Sequence, residues 1–315
     1  MKKVVIFGGG SGLSQILKGL KLFPIDITAV VSVSDNGSST GSLREEFSIP
    51  AVGDITKVLL AMSTESKGVI DLFNYRFSKE SSLSNHSIKN LIMTALLEMK
   101  GDFAHSLPIL CDLLDVKGTI LPLTEDNVDL IGITREGQRI IGEAEITEAR
   151  SKIVDLEYSK KIKVTPKVLE AIKKADLIVF SSGSLITSIM PNIIVPEIQE
   201  AIQNSKAKKL YICNMLTQPG ETDGFKVSDH VKFIEKYIGA GQINAVIANS
   251  SKITANMKVL AKSEGKDAVG IDASKLHKMG VTLLADNLFK VEDGYVRHDS
   301  LKTSYLVFSY IINEE

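Results

Sequence analysis

Tryptophan is missing from the 315 residues, aromatic residues make up 6% of them, and there are 2 cysteines and 8 prolines. So few aromatics, with no basic stretch among them, exclude the stacking surface of a nucleic-acid binder. Cys111 and Cys213 lie too far apart in sequence to suggest a disulfide framework or a metal cluster. Their use suits a reducing cytoplasm. Neither sign of charge is in excess, since 37 Lys and Arg face 38 Asp and Glu for a formal charge of −1. No global field therefore draws nucleic acid or an anionic membrane, and any anion site has to be built locally. No apolar run approaches the roughly 20 residues that span a bilayer. Met1-Lys2-Lys3 is basic, but Val4 to Phe7 stops at glycines where a secretory segment would continue. A cytoplasmic protein with no membrane and no nucleic-acid partner is expected. A Ser-His-Asp triad and a zinc-ligand spacing are absent too.

What is present is enough apolar sequence, 44%, for a large core. Val4 to Phe7 is a continuous β-run, and Leu13, Ile16, Leu17 and Leu20 recur at helical spacing beyond Gly8-Gly9-Gly10-Ser11-Gly12. With the strand Ile27 to Val33 these make a βαβ unit. Two amphipathic helices follow, through Ile55, Val58, Leu59 and Met62 and through Ile88, Leu91, Ile92, Leu96 and Met99. From Thr119 to Leu156 the period shortens to β-runs, Val128 to Thr134 and Arg139 to Ile146, which read as an inserted hairpin lobe. Thr165-Pro166 then opens a helix, and strands are expected at Leu177–Phe180, 210–213, 245–248 and 268–271. The alternation predicts one α/β domain. It has a doubly wound, mainly parallel sheet with helices on both faces, divided into residues 1–118, the lobe 119–157 and a second half 158–315.

In such sheets ligands bind beyond the carboxyl ends of the strands. After the first strand, Gly8, Gly9, Gly10, Ser11 and Gly12 either make a tight turn or let backbone N–H groups approach a phosphate at a helix N-terminus; four glycines in five positions favour the phosphate. Leu13 stands where a dinucleotide fingerprint has its third glycine, and no Gly-Lys-Ser/Thr follows, so NAD chemistry and ATP hydrolysis both lose weight. After the second strand, Asp35, Asn36, Ser38, Ser39 and Arg44 are either a polar loop or groups for a metal, ribose or phosphate. Asp54 is either an N-cap or a site carboxylate, and His86 either precedes a helix capped by Asn85 or Ser87 or serves as acid, base or ligand. Ser182, Gly183 and Ser184 follow another strand as a turn or a second anion site. Asn214, Gln218, Thr222 and Asp223 suggest a site wall. Lys57 and Lys89 read as solvated helix faces. Arg297-His298 reads as surface, with Arg297 able to reach the ligand only if the terminal segment folds back.

Together these segments resemble the gluconeogenesis factor family, the YvcK-like proteins related to the CofD 2-phospho-L-lactate transferases. The likeness is carried by GGGSGLSQILKGL from Gly8, DITAVVSVSDNGSSTGSLRE from Asp26, IPAVGDI from Ile49, NHSIKNLI with Asn90, SSGSLITSIMPNIIVPEI from Ser181 and YICNMLTQPGETDGF from Tyr211. The resemblance implies a Rossmann-like core, a UDP-sugar or NAD-like dinucleotide as ligand, and a role in cell shape and cell-wall precursor supply during gluconeogenic growth. That role brings in an enzyme partner, with a homo-oligomer as a further option. For the transferase branch it implies Mg²⁺-dependent transfer of a phospholactyl group, with Asp35 and Asp54 catalytic and Asp35 on the metal. The sequence departs from the family pattern at Asn36 for aspartate, Thr56-Lys57 for arginine-asparagine, Asn85 and Lys89 for glycines, and Ser181-Ser182 for Gly-Pro. With one carboxylate fewer for a divalent ion, and backbone phosphate binding untouched, the expectation moves from catalysis toward binding. An NAD(P)-dependent oxidoreductase is the third alternative.

Overall fold

The structure is a computed structural model that describes every residue except 79, 252, 253, 255–258, 260, 293, 314 and 315. Seven strands form the main sheet: β1 (Lys2–Gly8), β2 (Ile25–Val31), β3 (Thr119–Pro122), β7 (Leu177–Phe180), β8 (Lys208–Ile212), β9 (Ala245–Asn249) and β10 (Thr282–Asp286). Their order is β10-β9-β8-β7-β1-β2-β3, and every pairing is parallel. The chain first builds outward from β1 to β3, then restarts at β7 on the other side of β1. The order therefore reverses between β1 and β7, which is the switch point where such sheets open a crevice.

β1 explains why the sheet is covered on both sides. Val4 and Ile6 enter one apolar layer, and Val5 and Phe7 the other. On the first face lie α1 (Gly10–Leu20), α3 (Gly53–Met62) and the C-terminal α13 (Ser300–Asn313), α1 packing against the other two. α2 (Ser38–Phe47), α4 (Lys67–Asn74), α5 (Ile88–Lys100) and α6 (Phe103–Leu113) extend that side. The opposite face is covered by α8 (Pro166–Lys174), α10 (Pro196–Asn204) and α11 (Val227–Ile238), through Ile172, Ile202 and Ile234 among others. A single π-helical turn, Leu185–Ile189, leads into the short α9 (Met190–Ile193), and α12 (Ala273–Lys278) precedes β10. Among the described residues no helix is long and apolar enough to cross a membrane.

Several expectations are corrected. The stretch 268–271 is not a sheet strand. Ala268 and Gly270 make only isolated bridges, to Leu216 and Lys226, because this segment crosses other loops instead of running beside β9. The strand beside β9 is β10. Thr119 opens β3, which pairs with β2, so the lobe proper begins after Pro122. The lobe is a three-stranded antiparallel sheet, β5-β4-β6, rather than a hairpin. Its strands are β4 (Leu130–Thr134), β5 (Arg139–Ile141) and β6 (Ile153–Tyr158). The expected run to Ile146 breaks at Gly142 (φ +106°), after which α7 (Glu143–Ala149) begins. Near the C-terminus β11 (Phe289–Glu292) and β12 (Tyr295–His298) form an antiparallel ribbon beside α1.

Candidate functional site

The two turns at the switch point touch each other. Gly10 has φ +58°, a left-handed conformation that favours glycine, and it lets the chain leave β1 directly into α1. A Cβ on Gly12 would lie 2.5 Å from Gly183 Cα and 2.6 Å from its nitrogen. Glycine at position 12 is thus required by the close approach of the β7 turn. α1 has no side-chain cap and no acidic residue in its first turn. The first N–H groups of a helix have no intrahelical partner, and together with the helix dipole they attract anions.

These turns floor a cavity of about 350 Å³. Gly9, Ser11, Gly12 and Gln15 line it from β1–α1, Ser182, Gly183 and Ser184 from the β7 turn, and Asn214 and Gln218 from beyond β8. Asn214 donates to the Gly183 carbonyl at 2.9 Å, tying the second wall to the floor. Lys266 and Arg297 supply positive charge on the lining. Arg297 comes from β12 of the terminal ribbon, which Gln15 holds by donating to the His298 carbonyl of β12 at 3.1 Å and to the Glu292 carboxylate of β11 at 3.2 Å. The terminal segment does fold back over the first turn.

Two further hollows continue the cleft past the end of β2. One, of about 360 Å³, shares Ser11, Gln15 and Arg297 with the first cavity and carries Lys18, Lys57 and Lys89. The other, of about 230 Å³, is lined by Asp35, Ser39, Thr40, Gly53, Lys57, Arg76, Lys89 and Asn90. His86 Nδ1 lies 3.0 Å from Ser39 Oγ, and Asn90 accepts from Thr56 at 2.8 Å. Lys57 and Lys89 are therefore cleft groups and not solvated faces, because α3 and α5 present their first turns to the hollow.

Between the hollows sits a carboxylate cluster. Asp54 is buried against the glycine turn, so that a Cβ on Gly9 would lie 2.5 Å from Asp54 Oδ2, and it pairs with Lys57 Nζ at 2.9 Å. It does not cap α3; Val52 holds that position. Burial, then Asp54, raise the Asp35 pKa, while the Gly37 N–H at 2.9 Å lowers it. Glu143, at the start of α7, is raised well above the usual range by burial and then by Asp54 and Asp35. Its Oε2 is buried without a partner among the described residues, as is Glu221 Oε1. Burial raises Glu221 as well, against hydrogen bonds from the Ser184 hydroxyl and the Ile186 N–H. Sequence reading missed Glu143 and Glu221. Nothing local marks Glu143; Glu221 lay within a polar run already noted.

Other candidates face elsewhere. Asn36 accepts from Ala144 N–H and donates to Glu145 at 2.7 Å, clipping the loop to α7. Arg44 is buried, and its guanidinium is committed to Asn127, the Val128 carbonyl and Asp129. It anchors the lobe where a phosphate clamp was expected. Thr222 accepts from Gln218 N–H, and Asp223, on the surface, accepts from Gly220 N–H; both shape their loop. The Gly8 carbonyl accepts from Asn192 Nδ2. Ser87 sits at the cap position of α5 with no cap hydrogen bond. Ser38 opens α2, and its side chain lies outside the described residues.

Among the described residues no three His, Cys, Asp or Glu side chains are grouped to hold a metal ion. Asp35 fits Mg²⁺ only as one of the one or two carboxylates that complete a site with ligand phosphates.

The family model for 2-phospho-L-lactate transferase CofD matches residues 4–289. A putative gluconeogenesis factor of Thermotoga maritima is 42% identical over 313 residues, covering 97% of this chain and 98% of that protein. The gluconeogenesis factor of Bacillus subtilis is 40% identical over 306 residues, covering 97% and 96%. The crystal structure of a Bacillus halodurans member of the UPF0052 family superposes with a TM-score of 0.94 at 40% identity, covering 98% of this chain and 99% of that one. With a family match over most of its length and near-complete coverage of these relatives, the chain belongs to the CofD-like UPF0052 family, among its gluconeogenesis factors.

Proposed function

We propose that the cleft binds a nucleotide sugar, a UDP-sugar by class, and that the protein reports its supply to an enzyme of cell-wall precursor synthesis, supporting cell shape during gluconeogenic growth. The observation that carries this reading is the contact between the two glycine turns beneath an uncapped helix N-terminus, with Arg297 above it. That arrangement supplies N–H donors and a planar cation to a diphosphate without any catalytic side chain. A volume of about 350 Å³ lies within the roughly 300–1,000 Å³ range of small-molecule sites. Family membership supports the cellular role. The test is calorimetric titration with UDP-glucose, with NADH as competitor, on wild type and Gly10→Val. Saturable UDP-glucose binding that the variant loses supports the proposal; no heat from wild type, or NADH binding in preference, defeats it.

A second reading is a transferase that moves a phosphorylated group, favoured by the clustering of Asp35, Asp54 and Glu143 beside the same turn. When bound, Mg²⁺ would offset phosphate charge there. Asp35 would hold it, Lys57 pairs with Asp54 at 2.9 Å, and burial and the two aspartates push Glu143 toward its protonated form. Incubation of UDP-glucose and Mg²⁺ with candidate acceptors decides between the readings, since product that Asp35→Asn no longer forms appears only under the second.

A further inference from the structure

The hollow beyond β2 is separated from the glycine turn by Asp54 and is built differently. Three helices begin at it: α2 at Ser38, α3 at Gly53 and α5 at Ile88, of 10, 10 and 13 residues, and none has a side-chain cap hydrogen bond. Each therefore directs the positive end of its dipole and its first N–H groups toward the same end of the sheet. Lys57, Arg76 and Lys89 line the space with these helix starts. Among the described residues, only Lys57 of these three has an acidic partner in direct contact, Asp54. The described hydrogen bonds of the other two go to neutral oxygens, Lys89 to Asn74 Oδ1 at 2.6 Å and Arg76 to the Asn85 carbonyl. Asp35 is the carboxylate on the lining, and it accepts the Gly37 N–H at 2.9 Å. Burial, and then the nearby Lys57 and Arg76, lower the Lys89 pKa to about 8, against Asp54, which raises it.

We propose that this hollow is a second anion site, distinct from the nucleotide cleft, and that it takes a small phosphate monoester through Lys89, Arg76, Lys57 and the hydroxyl of Ser39. A tetrahedral dianion matches donors arriving from three helices and three cations better than a planar carboxylate does. The volume of about 230 Å³ falls below the range for larger ligands, so it suits a compact metabolite and not a nucleotide.

The experiment titrates the whole protein with glycerol 3-phosphate, inorganic phosphate and glycerol at matched ionic strength, in wild type, Lys89→Gln, Arg76→Gln and the exposed control Lys174→Gln. Glycerol 3-phosphate is expected to bind more tightly than inorganic phosphate, and each cleft variant to weaken it by about tenfold or more. The control variant should bind it as wild type does, and Arg76→Gln, which lines only this hollow, should keep its affinity for UDP-glucose. Arg76 is exposed, so its variant keeps the test decisive even if Lys89→Gln folds poorly. Absence of binding, equal affinity for the two phosphates, or unchanged affinity in Arg76→Gln overturns the proposal. The UDP-glucose titration reports separately on the nucleotide cleft, so failure of one site is not mistaken for failure of the other.

Discussion

Replacing Gly12 with alanine opposes two effects of known sign. Gly12 is the third residue of α1, where alanine improves helix propensity by up to about 1 kcal/mol. Against this, the added methyl would lie 2.5 Å from Gly183 Cα, 2.6 Å from its nitrogen and 2.8 Å from the Ser182 carbonyl carbon. To reach ordinary contact, one turn has to move by most of an ångström, and both are continuations of adjacent central strands, β1 and β7. Overpacking of well-ordered regions costs about 1–3 kcal/mol, and backbone yields less readily than a side-chain end, so the upper part of that range applies. The clash should win, lowering stability by about 1–2 kcal/mol, with a lower denaturation midpoint at unchanged slope. UDP-glucose affinity should fall by at least about tenfold, because the floor of the cavity opens. Urea titration followed by calorimetry on the folded variant measures both. A variant as stable as wild type with the same dissociation constant would show that the turns are not held in contact and that the phosphate does not sit between them.

Three other outcomes are expected. Arg297→Ala should weaken UDP-glucose binding by about ten- to a hundredfold, the usual cost of a lost hydrogen bond to a charged group. Its contact with the Tyr295 ring, 5.5 Å away on a surface ribbon, is worth only about 0.5–1 kcal/mol, so the unfolding midpoint should barely change; equal dissociation constants would return Arg297 to the solvent. Burial lowers His298 to about 4, so the folded protein keeps it neutral while the unfolded chain protonates near 6.5; its stabilising contribution is complete above that pH and is lost as pH falls toward 4. The buried carboxylates with raised pKa act in the opposite direction. The comparison is therefore wild type against His298→Gln, whose stability should fall less by about 2 kcal/mol between pH 6.5 and 5, and identical pH slopes would refute it. Glu143→Gln removes a carboxyl that burial and two neighbouring aspartates hold toward its protonated form, so it should raise stability more at pH 8 than at pH 5; a drop at both pH values would mean that Glu143 is ionised and paired.

What the sequence made legible is what depends on local chemistry. Both glycine turns, α1, and the strands from β1 to β9 that carry continuous apolar runs could be placed because a buried parallel strand ends abruptly where the backbone must turn. β10 was passed over because Thr282 to Asp286 is short and only partly buried, while 268–271 offered a better apolar run. Lys57 looked solvated because the apolar period of α3 runs through Ile55, Val58, Leu59 and Met62. Yet Leu60 and Ala61 are buried too, and only packing shows that no face of α3 is simply exposed. Arg44 and Asn36 were sound as chemistry and misplaced in space: the lobe was legible, but no local pattern shows where it docks, and there it offers Asn127, Asp129 and Glu145 to them.

The architecture also bears on how a chain with no net field would hold the polyanion proposed for it. α1 presents its N-terminus to the cavity, and the same helix positions the opposite rim, since Gln15 reaches both strands of the terminal ribbon. At its back, Ser304 of α13 donates to the Ile16 carbonyl, so the segment that continues the ribbon is fixed to the helix that carries the floor. Floor and rim are therefore both tied to α1. The carboxylates beneath the turn would oppose an anion if fully ionised. Lys57 answers Asp54, and burial pushes Asp35, Glu143 and Glu221 toward their protonated forms. Proton uptake thus lowers the negative charge where the phosphate sits, and anion binding should in turn draw those protons more tightly, because each favours the state that the other needs.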